Sequence, residues 1–354
     1  MACCHYESLL QMKKIVLLCS LLTLIVFTGT AQKNSIVCVG FYNTENLYDT
    51  IKQPNVDDLE FTPQGPTKWN SERYQTKIKH ISDVISRLAM DKVTGGPLAV
   101  GLAEVENRGV VEDLINSTGL KPFNYDIVHV DSPDKRGIDV ALIYRKDLFK
   151  VTAIHAARLK IDSLPDFFTR DQLVVSGIFD GKPLHFIVNH WPSRFGGEEK
   201  SVPLRIAAAR LCRSLADSLM KLDPKAKIVI MGDLNDDPIN ESLTKYLHVK
   251  TSMRATHRGD LYDPMYSMFK EGKGSLEYKG KWNLFDQFIV SSGLVKAGKG
   301  EYHFAEAAIY KEQYLLEQIG DYKGTPWRTY AGKKYLGGYS DHLPTYILLE
   351  KKIK

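Results

Sequence analysis

Material for disulfides, zinc sites and membrane anchors is scarce in this sequence. Of its five cysteines in 354 residues, Cys3, Cys4 and Cys19 fall in the first 31. That leaves Cys38 in an apolar run and Cys212 on a helical pattern, so two buried thiols are expected in place of a stabilising network. No Cys/His cluster has zinc spacing and no Gly-x-Ser-x-Gly elbow is present, which removes support for zinc and serine hydrolases. Strong charge of one sign is also missing: 47 Lys+Arg against 42 Asp+Glu gives a net charge of +5. That balance excludes a basic nucleic-acid tail, and 44% hydrophobic with 25% charged residues excludes a disordered chain. There is no fixed-period repeat and no low-complexity linker.

The one long apolar stretch is N-terminal. Lys13 and Lys14 precede the 13-residue run Ile15 to Phe27, followed by Thr28-Gly29-Thr30-Ala31. The run is shorter than the roughly 18 residues that cross a bilayer, and small residues stand where a signal peptidase cuts. Residues 1–31 are therefore read as a removed signal peptide with Met12 as a possible true start, and the protein as periplasmic or secreted. No membrane span remains after cleavage. Cys19 lies mid-run without the small residues that precede a lipidated cysteine.

The mature chain is strand-rich. Short β-branched runs recur at Ser35 to Phe41, Leu98 to Ala103, Ile138 to Tyr144, Leu173 to Phe179, Leu184 to Asn189, Lys227 to Met231, Gln287 to Ser291 and Thr345 to Leu349. Helical spacing appears at Ile78, Ile81, Ile85, Leu88 and again at Leu204, Ala208, Leu211, Leu215, Leu219. Strands outnumber helices without regular alternation, so two packed mixed sheets with outer helices are expected over a doubly wound parallel sheet. The polar, glycine-rich stretch 256–281 reads as a long surface loop.

Polar residues sit at strand ends where packing does not require them. The first run passes into Asn43-Thr44-Glu45; others end at Glu104, at His190-Trp191-Pro192-Ser193-Arg194 and at Asp233-Leu234-Asn235. Asp286 opens a strand, and Ser340-Asp341-His342 precedes the last. Carboxylates and an amide at neighbouring strand ends suit a hard divalent cation, for which Asn43, Glu45, Glu104 and Asp341 are candidates. Asp233, Asn235, His190 and His342 have the chemistry to position water and stabilise charge on phosphorus, with Asp286 orienting an imidazole.

Asn43, Glu104, His190, Gly232-Asp233-Leu234-Asn235, Asp286 and Ser340-Asp341-His342 stand in the order found in the endonuclease/exonuclease/phosphatase superfamily, which the chain resembles from about residue 35 to 350. The resemblance implies a four-layer α/β sandwich, DNase I-like, with two mixed sheets face to face and helices outside. Because the set runs from Asn43 to His342, one domain over residues 32–354 must hold it. The resemblance also implies metal-dependent hydrolysis of a phosphate ester by in-line water. Mg²⁺ or Mn²⁺, with Ca²⁺ also compatible, would be bound mainly by Glu104 and Asn43, with Asp341 and Glu45 nearby. Asp233 would activate the water, Asn235 hold water or phosphate, and His342 contact the phosphate. His190 matches the position where pancreatic-type nucleases carry a histidine, and Asp286 would partner a catalytic histidine.

Arg136, Arg170 and Arg194 are candidate ligands for phosphate oxygens. Tyr262, Tyr266, Phe269, Tyr278 and Trp282 alternate with lysines, as in a surface that stacks on bases or in a loop folded over its own rings. Two look-alikes fail: the run from Asp233 has Pro238 and Thr244 where a calcium loop needs Gly and Glu, and Gly293 to Lys299 is followed by Gly300 where a P-loop needs Ser or Thr. The expected protein is a monomeric phosphodiesterase without a stable protein partner, acting first on extracellular nucleic acid. The alternative substrate is a small phosphoester or lipid headgroup, as for a phosphatase or sphingomyelinase. A non-catalytic binding module is the third reading, disfavoured because no site residue is missing.

Overall fold

A computed structural model describes residues 34–353. The segment read as an export signal lies outside the described residues. All eight β-branched runs are strands, several longer than the run itself; the first extends over Asn34–Leu47 because its polar end also pairs.

Two mixed sheets result. One has six strands in the order His303–Ile309, Thr345–Lys352, Asn34–Leu47, Ala99–Val105, Asp139–Arg145 and Tyr125–His129. The other has seven, ordered Phe149–Ala157, Gln172–Phe179, Lys182–His190, Ile228–Asp233, Asp286–Ser291, Leu261–Tyr262 and Val249–Lys250. Side chains alternate across each sheet, and the inward set (Val39, Phe41, Leu142, Phe149, Phe186, Val188, Met231, Phe288 and Ile347 among them) forms one apolar layer between the two sheets.

The outward faces carry the helices. Ser71–Arg87 and Arg108–Asn116 cover the first sheet through Ile78, Ile81, Ile85, Val111 and Leu114. Glu198–Leu222 covers the second through Ala208, Ala209, Cys212 and Ala216. The order is helix, sheet, sheet, helix, which is the four-layer sandwich. Asn70 caps the first helix by accepting the Arg73 N–H at 3.0 Å, and Asn107 caps the second in the same way. Cys38 and Cys212 are buried and free. Among the described residues no helix is long and apolar enough to cross a membrane.

The stretch 256–281 is less open than its composition suggests. It contributes the short strand Leu261–Tyr262, a helical turn Tyr266–Lys270 and the strand Leu276–Tyr278, which hairpins onto Lys281–Asn283. Tyr262 packs edge-on against Phe304, and Trp282 lies under the Lys311 ammonium at 3.9 Å. Only Tyr278 of the five rings is exposed by more than half, at 62%. A multi-ring stacking surface is therefore not formed here.

Phe186 is fully buried between the sheets and meets Phe149 edge-to-face at 5.2 Å. Phe186→Ala is expected to lower unfolding free energy by about 3–5 kcal/mol, measured by urea denaturation; a loss below about 1 kcal/mol would contradict this account of the core.

Candidate active site

Strand direction brings the polar ends together. Asn34–Leu47 and Ala99–Val105 run parallel, as do Lys182–His190 and Ile228–Asp233, so four C-terminal ends lie on one rim. Asp286–Ser291 and Thr345–Lys352 are antiparallel to their neighbours and begin at that same rim. Register does the rest: His190 pairs with Asp233, and Asp233 with Asp286, in adjacent strands. Gly232 is required beside them, because a Cβ there would sit 2.3 Å from the Asn189 carbonyl oxygen.

The rim is also where the backbone leaves regular strand geometry. Register slips between Asn43 and Leu47 and between Ala103 and Val105. Glu45, Asn46, Glu104 and Asn235 all take left-handed φ values between 50° and 61°. Bulges of this kind re-aim side chains, and non-glycine residues hold such φ only where the surroundings impose it.

Asp233 is the centre of the cluster. It is buried; one oxygen accepts the Asn43 amide N–H from the opposite sheet at 3.0 Å, the other the Asn235 backbone N–H at 3.0 Å. His190 Nε2 stands 3.6 Å and His342 Nε2 3.9 Å from the same carboxylate. Burial pushes the Asp233 carboxyl up to about 7, opposed by His342. His342 Nδ1 donates to Asp286 at 2.7 Å. Burial works against its charge, but Asp286, Asp233 and Asp341 outweigh it and hold the imidazole well above its ordinary value. His190 is driven well below by burial, helped by Arg170 and Arg136, and is neutral. The carboxylates of Asp233 and Glu104 (3.8 Å) on its Nε2 side place the proton there.

The histidine that Asp286 partners is His342. The sequence did not single out Ser275, whose hydroxyl donates to the same Asp286 oxygen at 2.5 Å. The Ser340 hydroxyl donates to the Asn43 carbonyl at 2.8 Å and receives the His342 N–H at 3.1 Å, fixing the last motif to the first strand. Asn235 spends one amide hydrogen on the Trp191 carbonyl.

Hard oxygen donors are present on the other side of the rim. Glu104 accepts the Asn46 N–H on one oxygen, and its second faces only His190 at 3.8 Å. The Asn43 amide oxygen accepts one N–H, from Glu45, and keeps a lone pair. Asp341 is partly exposed, with His342 at 3.9 Å. Asn43, Glu104 and Asp341 fit a divalent cation by donor chemistry. Asp233, Asp286 and His342 also approach one another closely, with Asp286 and His342 already joined by a hydrogen bond.

Glu45 departs from expectation. Its carboxylate accepts the Thr329 N–H at 2.6 Å and faces the buried Lys77 ammonium at 3.7 Å. It supports the loop before Asp341, while its other oxygen has only a long contact, 3.5 Å, from the Tyr330 N–H. Arg170 and Arg194 also differ from the phosphate ligands expected. Arg170 is buried, donating to Asp134 at 3.1 Å and the Trp191 carbonyl at 2.6 Å. Arg194 is spent on the Asn235 carbonyl, Asp236 and Glu198 and stacks on Phe285. Arg136 remains: its side chain is 46% exposed, and Tyr48 fixes its carbonyl at 2.7 Å.

Facing mixed sheets with acidic strand ends around a carboxylate–imidazole pair define a phosphoester hydrolase of the four-layer sandwich class. A sequence model described as "Endonuclease/Exonuclease/phosphatase family" matches residues 38–351, and the chain belongs to that family, whose members depend on divalent metals. No curated protein sequence matches the chain. Among solved structures it is similar to an endonuclease/exonuclease/phosphatase family protein from Bacteroides thetaiotaomicron (16% identity, 91% of this chain and 98% of that one, TM-score 0.54). It is also similar to a mannosyl-6-phosphatase from the same organism (15%, 88% and 99%, 0.54). A third is TDP2 of D. rerio complexed with a single-strand DNA product (14%, 89% and 99%, 0.52). Identities this low establish a shared fold.

With its folded value above the ordinary imidazole value of about 6.5, His342 stabilises the fold fully below that pH and loses the contribution as pH rises through the raised value. Asp286→Asn should remove that alkaline loss and move the His342 titration down. NMR titration of the imidazole and urea midpoints from about pH 6 to about pH 9 measure both; an unshifted imidazole would refute the pairing.

Proposed function

We propose that this protein is an exported, divalent-metal-dependent phosphoesterase that cleaves the P–O bond of small phosphate esters by in-line attack of water. The observation that carries the chemistry is Asp233, a buried carboxylate fixed by Asn43 from the opposite sheet and facing the Nε2 atoms of two histidines. In this reading Asp233 accepts a proton from the attacking water. The remaining Asn235 amide hydrogen orients that water or a phosphoryl oxygen. His342, kept charged by Asp286, presents an N–H donor where negative charge grows on phosphorus. Neutral His190 steadies Asp233 and Glu104, and Arg136 is the arginine available to phosphate oxygens. A cation held by Asn43, Glu104 and Asp341 supplies Lewis-acid polarisation of the phosphoryl oxygen when bound.

The choice of small esters over a polynucleotide is supported by two expected phosphate arginines being spent internally and by the folding-in of Tyr262 and Trp282. It also agrees with one of the similar solved structures being a mannosyl-6-phosphatase. Nucleic acid is the second reading, favoured by the exposed Tyr278 ring with Lys279 at 5.2 Å and by the neighbour carrying a DNA product. Export rests on the N-terminal segment alone. Its check is N-terminal sequencing of periplasmic and medium fractions, where a chain beginning at Gln32 is expected.

The deciding assay uses the chain from Gln32 with Mg²⁺ or Mn²⁺ and with chelator, on p-nitrophenyl phosphate, bis-p-nitrophenyl phosphate, sugar phosphates, sphingomyelin, plasmid DNA and RNA. Small esters should be hydrolysed only with metal. Asp233→Asn and His342→Ala should each cut turnover by about a thousandfold or more while remaining folded. Near wild-type rates in either variant would sink the scheme, and plasmid nicking that disappears in Asp233→Asn would move the assignment to a nuclease.

A further inference from the structure

Beside the reacting groups, on the Asp341 side, lies a cleft of about 200 Å³ that the chemistry above does not use; Asn46, Thr67, Trp69, Arg328 and Tyr330 line it. Arg328 is half-buried, its Nε is closed off from solvent, and among the described residues that atom has no hydrogen-bond partner. Its guanidinium lies 5.9 Å from the Tyr322 ring. The Nε atoms of Arg170 and Arg205 also lack a hydrogen bond, but those guanidiniums have carboxylate partners: Arg170 has Asp134 at 3.1 Å, Arg194 has Asp236 at 3.2 Å and Arg205 has the same Asp236 at 2.7 Å. The carboxylates inside the cleft do not neutralise Arg328, since Glu45 is turned to Lys77 and Asp341 belongs to the metal set; Glu60 sits at the exposed rim.

The backbone carrying Arg328 is fixed on both sides. Its carbonyl accepts the Gly338 N–H at 3.1 Å. Thr329 is held by the Glu45 carboxylate and the Lys77 ammonium, and the Tyr330 hydroxyl reaches the Thr67 carbonyl at 3.2 Å. Asn46, whose backbone N–H is taken by Glu104 at 3.0 Å, adds a side-chain amide to the cleft wall. Arg328 thus lines the cleft from a fixed stretch of backbone without a carboxylate ion pair among the described residues, and the partner its guanidinium suits is an oxyanion. Pre-ordering of the cation lowers the cost of capturing one.

We propose that Arg328 anchors a second phosphate of the substrate, one that enters this cleft while the scissile phosphate lies between Asp341 and His342. The inference rests on the phosphoesterase reading above and narrows its substrate to esters with two phosphates. The second phosphate belongs either to a small bisphosphorylated molecule or to the next link of a short oligonucleotide.

The test compares kcat/KM for glucose 1,6-bisphosphate with glucose 6-phosphate, and for the dinucleotide pTpT with TpT, in wild type, Arg328→Gln, Arg328→Lys and Lys333→Gln. For the source that applies, the two-phosphate to one-phosphate ratio should fall by about 10- to 100-fold in Arg328→Gln, through KM, and partly recover in Arg328→Lys. Lys333→Gln removes a charge from the same loop outside the cleft lining and should leave the ratio at the wild-type value. Pyrophosphate should compete better than orthophosphate in wild type and lose that advantage in Arg328→Gln, a readout independent of turnover. An unchanged ratio and unchanged pyrophosphate advantage in Arg328→Gln would overturn the inference while leaving the phosphoesterase reading intact. A wild type inert toward all four esters and toward the p-nitrophenyl substrates would overturn both.

Discussion

Everything at the rim depends on one constraint: polar groups buried between two sheets must satisfy each other, because water cannot. The hydrogen bond from Asn43 to Asp233 crosses from one sheet to the other and is the shortest statement of that constraint. Around it Asp286, His342, Asn235 and Ser275 are buried and hydrogen-bonded, and His190 is buried with its Nε2 3.6 Å from Asp233. A buried carboxylate without partners is costly. Here the partners come from strands far apart in sequence, so the relative position of the two sheets and the geometry of the site are a single problem with a single solution.

The arginines extend that logic outward. Arg170 ties the carbonyl after His190 to Asp134, and Asp134 in turn accepts the Arg136 backbone N–H, so a buried guanidinium holds the loop that displays an exposed one. Arg194 and Arg205 converge on Asp236 and brace the turn that follows Asp233. Lys77 plays the same part on the metal side, reaching from a helix to Glu45, Thr329 and the Tyr339 carbonyl. Most positive charge near the rim is therefore scaffold.

Strands buried on both faces were legible because their β-branched runs leave no other reading, as in Ile228–Asp233. Phe149–Ala157 and His303–Ile309 were missed: both lie at sheet edges, with mostly open faces and mixed composition, so neither alternation nor a continuous apolar run marks them. The site residues stand out in sequence as polar residues at strand ends. Their partners do not. Whether Arg170 meets a phosphate or Asp134 depends on a contact across 36 residues, and the contacts of Glu45 with Thr329 and Lys77 arise at a bulge that no residue type announces. The serine that holds Asp286 is one of many serines and carries no mark of its own.

The first sheet places Asn34–Leu47 between Ala99–Val105 and the last strand, and Ser340 reaches back 297 residues to the Asn43 carbonyl. During synthesis one edge of the first strand therefore stays unpaired until the final segment arrives. The same segment brings Asp341 and His342. Pairing of the first strand's second edge and placement of Asp341 and His342 at the rim therefore come from one stretch of chain.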